Sequence, residues 1–239
     1  MTQDISESFN PGGWKFTAEV TDVFDVHVAA SVPYYPLIQN IVTETTDWLL
    51  PDGGVYVDIG ASTGTTAELI AQRHPDRHIR AYLYDEVPEM LDKASEKLAG
   101  YPNLKVERRP RNVLATMDHI PSDLVTSLFT LQFIAPELRG KVLEELHRRS
   151  KPTGALIVAE KIRPVHPLWA EIANDASHDF KADHGLSDTA IRQKARSLRG
   201  VLRPSTEDQL VLDIQDAGWR NPEILFRWHQ WVVVGAFAS

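Results

Sequence analysis

Two aspartates and two glycines stand at spacings that suit the binding of a nucleoside. Asp58 ends a short apolar run, Gly60 and Gly64 follow it, and Asp85 comes 25 residues after Gly60. A glycine turn lets a ligand approach the backbone without a Cβ in the way. An acidic residue at about this distance is typical of a contact with ribose hydroxyls. The pattern therefore indicates a nucleoside-containing ligand rather than an ordinary strand-to-helix turn.

The spacing of the glycines narrows the choice of ligand. Gly-x-x-x-Gly is not the dinucleotide pattern Gly-x-Gly-x-x-Gly, so a pyrophosphate cofactor is disfavoured. The free amides of the helix after the turn suit a carboxylate, and Asp58 can accept a hydrogen bond from a ligand ammonium. Glu86, beside Asp85, is a further acceptor. Separate contacts for ribose and for an amino acid fit S-adenosylmethionine, which we expect as the cofactor.

Composition favours a small-molecule enzyme. The 239 residues are 43% hydrophobic and 24% charged, which is enough for one sizeable core. A net charge of −8 argues against a broad nucleic-acid surface, so we expect no direct binding of nucleic acid. The absence of cysteine excludes thiolate metal ligands, and we expect no metal. With no run of about 18 apolar residues and no signal-like start, we expect a cytoplasmic chain without a membrane partner.

Short apolar segments alternate with helical patterns from residue 55 onward. The predicted strands are residues 55–59, 78–84, 104–107, 123–129, 155–159, 224–227 and 231–237. The predicted helices between them are residues 65–73, 88–99, 136–149 and 207–217. This alternation is typical of a doubly wound, mostly parallel sheet. We therefore predict a single α/β domain over residues 1–239 with a seven-stranded sheet.

Two helical regions complete the prediction. Residues 1–50 form an N-terminal helical arm, in which Trp14 and Phe16 begin an apolar pattern and the prolines of residues 31–36 interrupt it. A second arm helix is expected over residues 37–50. Residues 164–204 are a charge-rich helical insertion, which we expect to be a lid or a substrate-facing element.

Several segments of the chain resemble the carboxy-S-adenosyl-L-methionine synthase family. They are Phe129-Thr130-Leu131-Gln132-Phe133, Ala159-Glu160-Lys161, His178-Asp179-Phe180-Lys181, Gln193-Lys194, Val20-Thr21-Asp22-Val23-Phe24 and Ser31-Val32-Pro33-Tyr34-Tyr35. The resemblance runs from about Trp14 to about Val234. It implies the class I methyltransferase-like (Rossmann-like) fold, a homodimer and a role in wobble-uridine modification of tRNA. Members make carboxy-S-adenosylmethionine from S-adenosylmethionine, with prephenate as the carboxyl source.

The resemblance also implies which residues bind the cofactor. By position these are Tyr35, Gly60, Ala61, Ser62, Asp85, Glu86, Asn112 and Val113. Three positions depart from the family pattern: Leu128 replaces an asparagine, Asn112 replaces the usual aspartate, and Ala195 replaces an arginine that pairs with the extra carboxylate. Alanine cannot supply the bidentate grip of a guanidinium.

These departures leave three functions open. Methyl transfer from S-adenosylmethionine is favoured, because Leu128 and Ala195 depart together. Synthesis of carboxy-S-adenosylmethionine is the alternative, with Arg196 or Arg199 replacing the missing arginine. A ligand-binding or scaffold protein without catalysis is the third.

The catalytic residues stay unassigned, with Tyr35, His178 and Arg196 as candidates. Tyr35 can place an aromatic face against the sulfonium, or it can be a packing residue beside the prolines. His178 is a candidate base with Asp179 beside it, although capping or pairing on a lid helix is the favoured interpretation. A sulfonium is already an activated donor, so the protein has mainly to align donor and acceptor and to exclude water.

Overall fold

The part of the N-terminal arm that the structure describes contains two helices. The computed structural model describes residues 18–115 and 117–239, with side chains described from Phe24 onward, so Trp14 and Phe16 lie outside the described residues. Helix α1 spans Ala18–Ser31 and helix α2 spans Tyr35–Leu49. Helix α2 begins two residues earlier than predicted. Pro36 is tolerated there because the first turn of a helix has no use for its missing N–H.

The described residues contain one seven-stranded sheet in the order β3-β2-β1-β4-β5-β7-β6. Its strands are β1 (Val55–Ile59), β2 (Ile79–Asp85), β3 (Leu104–Pro110), β4 (Ser122–Leu128), β5 (Ser150–Lys161), β6 (Arg220–Trp228) and β7 (Trp231–Phe237). The first five strands are parallel, and β7 runs antiparallel to both β5 and β6. This confirms the predicted doubly wound, mostly parallel sheet.

Helices connect the strands as the alternation predicts. They are α3 (Thr65–Arg73), α4 (Pro88–Leu98), α5 (Pro136–Arg149), α6 (Pro167–Asp183), α7 (Asp188–Ser197) and α8 (Glu207–Asp216). Helices α6 and α7 lie within residues 164–204, where the sequence predicts a helical insertion. Each begins with a side-chain cap: His166 accepts from the N–H of Leu168, and Ser187 accepts from the N–H of Ala190.

Strand β3 is longer than its sequence pattern suggests. The apolar pattern stops at residue 107, but the strand continues through Arg108 and Arg109 to Pro110. Because β3 lies at the edge of the sheet, its charged side chains can reach solvent and pair there. Arg109 pairs with Glu107 at 2.9 Å and with Asp118 at 2.5 Å.

The sheet is covered on both faces, and every residue of β1 is buried. Tyr56 packs on one face among residues of α2 and α3, while Val57 packs on the other among residues of α5 and α8. A strand buried on both sides reads as a continuous apolar run, which is why β1 is easy to recognise. The carboxyl ends of the parallel strands consequently meet at one edge of a rigid layer. No helix of the described ranges is long and apolar enough to cross a bilayer.

Candidate functional site

A cavity of about 730 Å³ lies at the carboxyl ends of β1, β2 and β4. The arm helices and the helices α6 and α7 complete its walls. The cavity opens where β1 sits between β2 and β4, at the point where the strand order reverses. Ligands of open α/β sheets bind at this kind of crevice, and the volume is in the usual range for a cofactor or substrate site.

The turn after β1, residues 60–62 and here called the glycine turn, forms one wall of the cavity. Gly60 has a φ of 73°, and a Cβ built on it would overlap Oγ1 of Thr130. Its N–H donates to the carbonyl of Tyr84 at 2.8 Å, which fixes the turn to the end of β2. Only glycine fits this position, because both the backbone conformation and the space exclude a side chain.

Gly64 has a different role from the one its spacing suggests. It does not line the cavity, and a Cβ there would lie 3.0 Å from Cβ of Ala94 and 3.2 Å from Cδ1 of Leu98. Its φ is 75°, at the start of α3. Gly64 therefore lets α3 pack closely on α4, and it supports the glycine turn without being placed to contact a ligand.

Asp85 lies at the end of β2 and faces the cavity. Its Oδ2 accepts from the N–H of Ser62 and its Oδ1 accepts from the N–H of Val87, both at 2.9 Å. Burial raises the pKa of the Asp85 carboxyl, while these two backbone amides oppose that rise. Each oxygen retains a lone pair, so the carboxylate can also accept from two neighbouring hydroxyls of a ribose.

Glu86 and Asn112 form a pair at the rim beside Asp85. Nδ2 of Asn112 donates to Oε2 of Glu86 at 2.6 Å, and Oδ1 of Asn112 accepts from the N–H of Leu114 at 2.9 Å. Val113 lines the cavity next to them. The amide oxygen of Asn112 thus already has one donor, and its second lone pair is the one left for a ligand.

Asp58 is buried at the floor of the cavity. Its Oδ1 accepts from the hydroxyl of Thr126 at 2.7 Å, and the same hydroxyl lies 2.7 Å from the phenol oxygen of Tyr56. Burial raises the pKa of Asp58 to about 6, against the lowering effect of these hydrogen bonds. A nearby ammonium would hold this carboxyl in its ionised form.

Aromatic rings form a further part of the wall. The ring of Tyr35 lies 6.2 Å from that of Phe129, and Phe129 lies 5.7 Å from Trp231, and all three line the cavity. Burial raises the pKa of Tyr35, so its phenol stays protonated. Tyr34, by contrast, does not line the cavity and packs at 5.5 Å against Trp228.

The two departures that matter most for the reaction both lie in the cavity wall. Leu128 ends β4 and Ala195 lies on α7, and each faces the cavity. Arg196, the residue after Ala195, is exposed and does not line the cavity, so it is not placed to replace the missing arginine. Arg199 does line the cavity, just beyond the end of α7.

His178 lies at the exposed rim of the cavity, where partial burial and the nearby Lys181 lower its pKa.

Sequence reasoning did not assign three lysines that line the cavity, Lys161, Lys181 and Lys194, here called the lysine cluster. Nζ of Lys194 lies within hydrogen-bonding distance of Nε2 of His27 and at 3.1 Å from Oγ of Ser31. Burial, together with a neighbouring lysine in each case, lowers the pKa of Lys194 to about 7 and that of Lys181 to about 8. The signal in the sequence is that Lys161 closes β5 shortly after the apolar run of residues 155–159, where a partly buried cation is uncommon.

Glu160 holds the segment after β4 in place. Its two carboxylate oxygens accept from three consecutive backbone amides, those of Thr130 at 3.2 Å and of Leu131 and Gln132 at 2.9 Å. Burial raises the pKa of Glu160, and the three amides oppose that rise. The segment from Leu128 to Gln132, which lines the cavity, is thus positioned by a fully buried carboxyl group.

Within the two described ranges, no group of histidine and carboxylate side chains is arranged to hold a metal ion. The chemistry-bearing groups that line the cavity are carboxylates, lysines, arginines, histidines, aromatic rings and backbone amides.

Comparison with known sequences finds relatives that are named for the chemistry of S-adenosylmethionine. A family model described as a methyltransferase domain matches residues 57–156, which hold the end of β1, all of β2 to β4 and the first part of β5. A carboxy-S-adenosyl-L-methionine synthase of Trichodesmium erythraeum is 31% identical over 100% of this chain and 96% of its own length. That of Helicobacter hepaticus is 30% identical over 95% of this chain and 93% of its own.

Comparison with solved structures gives the same fold. Human N-acetylserotonin methyltransferase in complex with SAM matches with a TM-score of 0.60 and 15% identity, over 92% of this chain and 56% of its own. A protein of Bordetella parapertussis titled a possible exported protein matches with a TM-score of 0.65 and 14% identity, over 97% of this chain and 76% of its own. At these identities the likeness concerns the fold alone.

Proposed function

This chain belongs to the carboxy-S-adenosyl-L-methionine synthase family, and from that premise we propose that it transfers the methyl group of S-adenosylmethionine to a small molecule. It is an S-adenosylmethionine-dependent transferase with a methyltransferase fold. The observation that carries methyl transfer is the place of Leu128 and Ala195. Both departures from the family pattern lie in the cavity wall and not on a remote surface.

Several features of the cavity support binding of this cofactor. Gly60 leaves the space that a Cβ would fill, and Asp85 keeps lone pairs for the ribose hydroxyls. We propose that residues 60–62 and Asp58 bind the amino-acid end, and that Glu86, Asn112 and Val113 surround the adenine.

The chain's own residues have a limited task in the reaction. S-adenosylmethionine supplies a methyl group on a sulfonium, which is an activated leaving group. We propose that Tyr35 and Phe129 border the reacting centre, because an aromatic face attracts a cation. The arm helices and α6 exclude water from it, and Glu160 fixes the segment of Phe129.

A second candidate is synthesis of carboxy-S-adenosylmethionine from prephenate for wobble-uridine modification of tRNA. Two observations favour it: the match to relatives of that name extends over the whole chain, and Arg199 faces the cavity near Ala195. In either case we propose a cytoplasmic homodimer that does not itself bind nucleic acid. The family resemblance supports the homodimer, and the net charge of −8 supports the lack of direct nucleic-acid binding.

The test is the identity of ligand and product. The full chain is purified, and any retained ligand is identified by mass spectrometry. The chain is then incubated with S-adenosylmethionine carrying a labelled methyl group and with a pool of small metabolites. We expect S-adenosylhomocysteine and a labelled product. Carboxy-S-adenosylmethionine formed from added prephenate would instead establish the second candidate, and failure to bind either S-adenosylmethionine or S-adenosylhomocysteine would overturn both.

A further inference from the structure

We propose that the side-chain amide of Gln39 binds the ammonium group of S-adenosylmethionine, together with Asp58. Gln39 thereby makes helix α2 of the N-terminal arm a determinant of donor specificity. The inference rests on the proposed function, since it assigns one more residue to the same cofactor site. It goes beyond that function because neither the glycine turn nor the spacing of the carboxylates points to a glutamine on α2.

Gln39 lies on the buried face of α2, against the sheet. It is 2% exposed and lines the cavity, as does Tyr35 one helical turn before it. The hydroxyl of Thr43 donates to the backbone carbonyl of Gln39 at 2.6 Å, and this bond leaves the side chain unengaged. Glutamine is mostly an exposed residue, and a buried amide is costly unless its polar atoms are paired. The burial of Gln39 at a cavity wall therefore calls for a partner.

The two ends of the Gln39 amide differ in their surroundings. Burial raises the pKa of the Tyr35 phenol, and a hydrogen bond with the side chain of Gln39 opposes that rise. A neutral amide lowers the pKa of a phenol by donating to its oxygen, so this contact uses Nε2. Oε1 is buried and has no hydrogen-bond partner among the residues that the structure describes. Since a carbonyl oxygen can only accept, the partner that suits Oε1 is a donor.

The charges near Gln39 indicate which kind of donor. After burial, the negative charges of Asp25 and Asp58 are what raise the pKa of Tyr35, so both carboxylates lie close to the phenol that Gln39 contacts. Asp58 also lines the floor of the same cavity. An ammonium has three N–H donors and can bond to the Asp58 carboxylate and to Oε1 of Gln39 at the same time. A hydroxyl could pair with Oε1 but would not balance the negative charge.

The Gln39 side chain can adapt to such a ligand at little cost. The last torsion of a glutamine joins an sp³ carbon to an sp² carbon, and its energy minimum is broad. The amide can therefore turn its oxygen toward a cation while the backbone of α2 stays in place. An amide oxygen gains more from a charged donor than from a neutral one, because charge-assisted hydrogen bonds are the stronger kind.

The experiment compares three ligands on the full chain by calorimetry. S-adenosylhomocysteine carries both the amino group and the carboxylate, one analogue lacks only the amino group, and a second analogue lacks only the carboxylate. Gln39→Met keeps the length of the side chain and removes its hydrogen-bonding atoms. We expect this variant to bind both ligands that carry the amino group at least about tenfold more weakly. The affinity for the analogue without the amino group should stay within about twofold, which also shows that the variant is folded.

Gln72→Met is the matched control. Gln72 also contacts a phenol, since its Nε2 donates to the hydroxyl of Tyr101 at 2.7 Å, but it is exposed and does not line the cavity. This variant should change none of the three affinities. Gln39→Glu tests the same position in the opposite direction. At about pH 8 the added negative charge should raise the preference for S-adenosylhomocysteine over the analogue without the amino group by about threefold or more.

Each other result has a defined meaning. Equal weakening of all three ligands in Gln39→Met would show a structural role and overturn the inference. An unchanged affinity for S-adenosylhomocysteine, or a loss confined to the two ligands with a carboxylate, would overturn it as well. If Gln39→Met does not fold, an unchanged preference in Gln39→Glu overturns the inference. Failure of S-adenosylhomocysteine to bind the unsubstituted chain would count against the proposed function instead.

Discussion

The carboxylate of Asp85 and the backbone N–H of Ser62 are joined by a hydrogen bond of 2.9 Å. This bond links the end of β2 to the glycine turn after β1. The other oxygen of Asp85 accepts from Val87 at the start of the next helix. One side chain therefore holds two loops of the cavity in position, and it is also the side chain that we propose for the ribose.

Replacement of this carboxylate should affect stability and binding together. In Asp85→Asn, one oxygen becomes an amide nitrogen that cannot accept from Ser62 or Val87. We expect the free energy of unfolding in urea to fall by about 1–3 kcal/mol and the affinity for S-adenosylhomocysteine to fall at least about tenfold. Asp52→Asn is the control, because Asp52 also accepts from a backbone N–H, that of His78 at 2.7 Å, but lies away from the cavity. An unchanged affinity in Asp85→Asn would contradict the ribose assignment.

The glycine turn allows a matched pair of substitutions. Gly60 and Gly53 have nearly the same φ, 73° and 72°, but a Cβ at Gly60 would overlap Thr130 whereas one at Gly53 would meet nothing within 4 Å. Gly53→Ala should lower the free energy of unfolding by about 1–2 kcal/mol through backbone strain alone. Gly60→Ala should cost about a further 1–3 kcal/mol and weaken cofactor binding. Equal losses in urea denaturation would show that the overlap is relieved.

Asp58 should make stability depend on pH. Its pKa rises from 3.8 to about 6 on folding, so the folded chain keeps a proton that the unfolded chain has released. The free energy of unfolding should fall by about 3 kcal/mol as the pH rises from about 4 to above 6. Asp58→Asn removes this titrating group. The difference in the free energy of unfolding between the variant and the unsubstituted chain, measured by urea denaturation, should therefore change across that pH range. Parallel pH curves for the two chains would refute a buried titrating carboxyl at this position.

Glu160 should be among the least replaceable polar residues. Gln at this position leaves one acceptor oxygen for three backbone amides and places an NH₂ group against donors. We expect Glu160→Gln to lower the free energy of unfolding by about 2–4 kcal/mol, because buried donors lose their partners. Glu207→Gln serves for comparison, since Glu207 pairs with the half-exposed Arg227 and should cost less than about 1 kcal/mol. Urea denaturation of both variants measures the two losses, and an equal loss in Glu160→Gln and Glu207→Gln would contradict the role given to Glu160.

Ala195 should be a determinant of the donor. Ala195→Arg introduces a guanidinium at the cavity wall, and we expect it to raise the affinity for carboxy-S-adenosylmethionine relative to S-adenosylmethionine by about tenfold. Ala195→Met controls for bulk without charge, and Arg196→Ala should have no effect because Arg196 does not line the cavity. If the ratio of the two affinities stays constant in Ala195→Arg, the alanine does not define the choice of donor.

Much of the fold follows from local patterns in the sequence. Strand β1, helix α3, helix α5 and strand β7 have the bounds that the sequence predicts, because apolar periodicity and nearby glycine or proline residues mark their ends. The glycine turn was recognisable for the same reason. Gly64 lies close to α4, and spacing alone does not distinguish a glycine needed for a close approach to a ligand from one needed for a close approach to a helix.

The basic end of the cavity could not be predicted in this way. Lys161 closes a strand and Lys181 and Lys194 lie on two helices, so their convergence depends on how α6 and α7 pack over the sheet. The contact between His27 and Lys194 joins residues 167 positions apart. Such a contact arises from tertiary packing and leaves no local pattern.

The residues that line opposite sides of the cavity come from separate parts of the sequence, which affects how the enzyme could be altered. The carboxylates and the glycine turn precede residue 87, whereas the lysine cluster and the facing helices follow residue 160. Residues 164–204, which carry α6, α7 and Ala195, thus form one continuous segment that faces the carboxylates and the glycine turn across the cavity. We expect that exchanging this segment between relatives would change that facing wall and leave Asp58, Asp85 and the glycine turn in place.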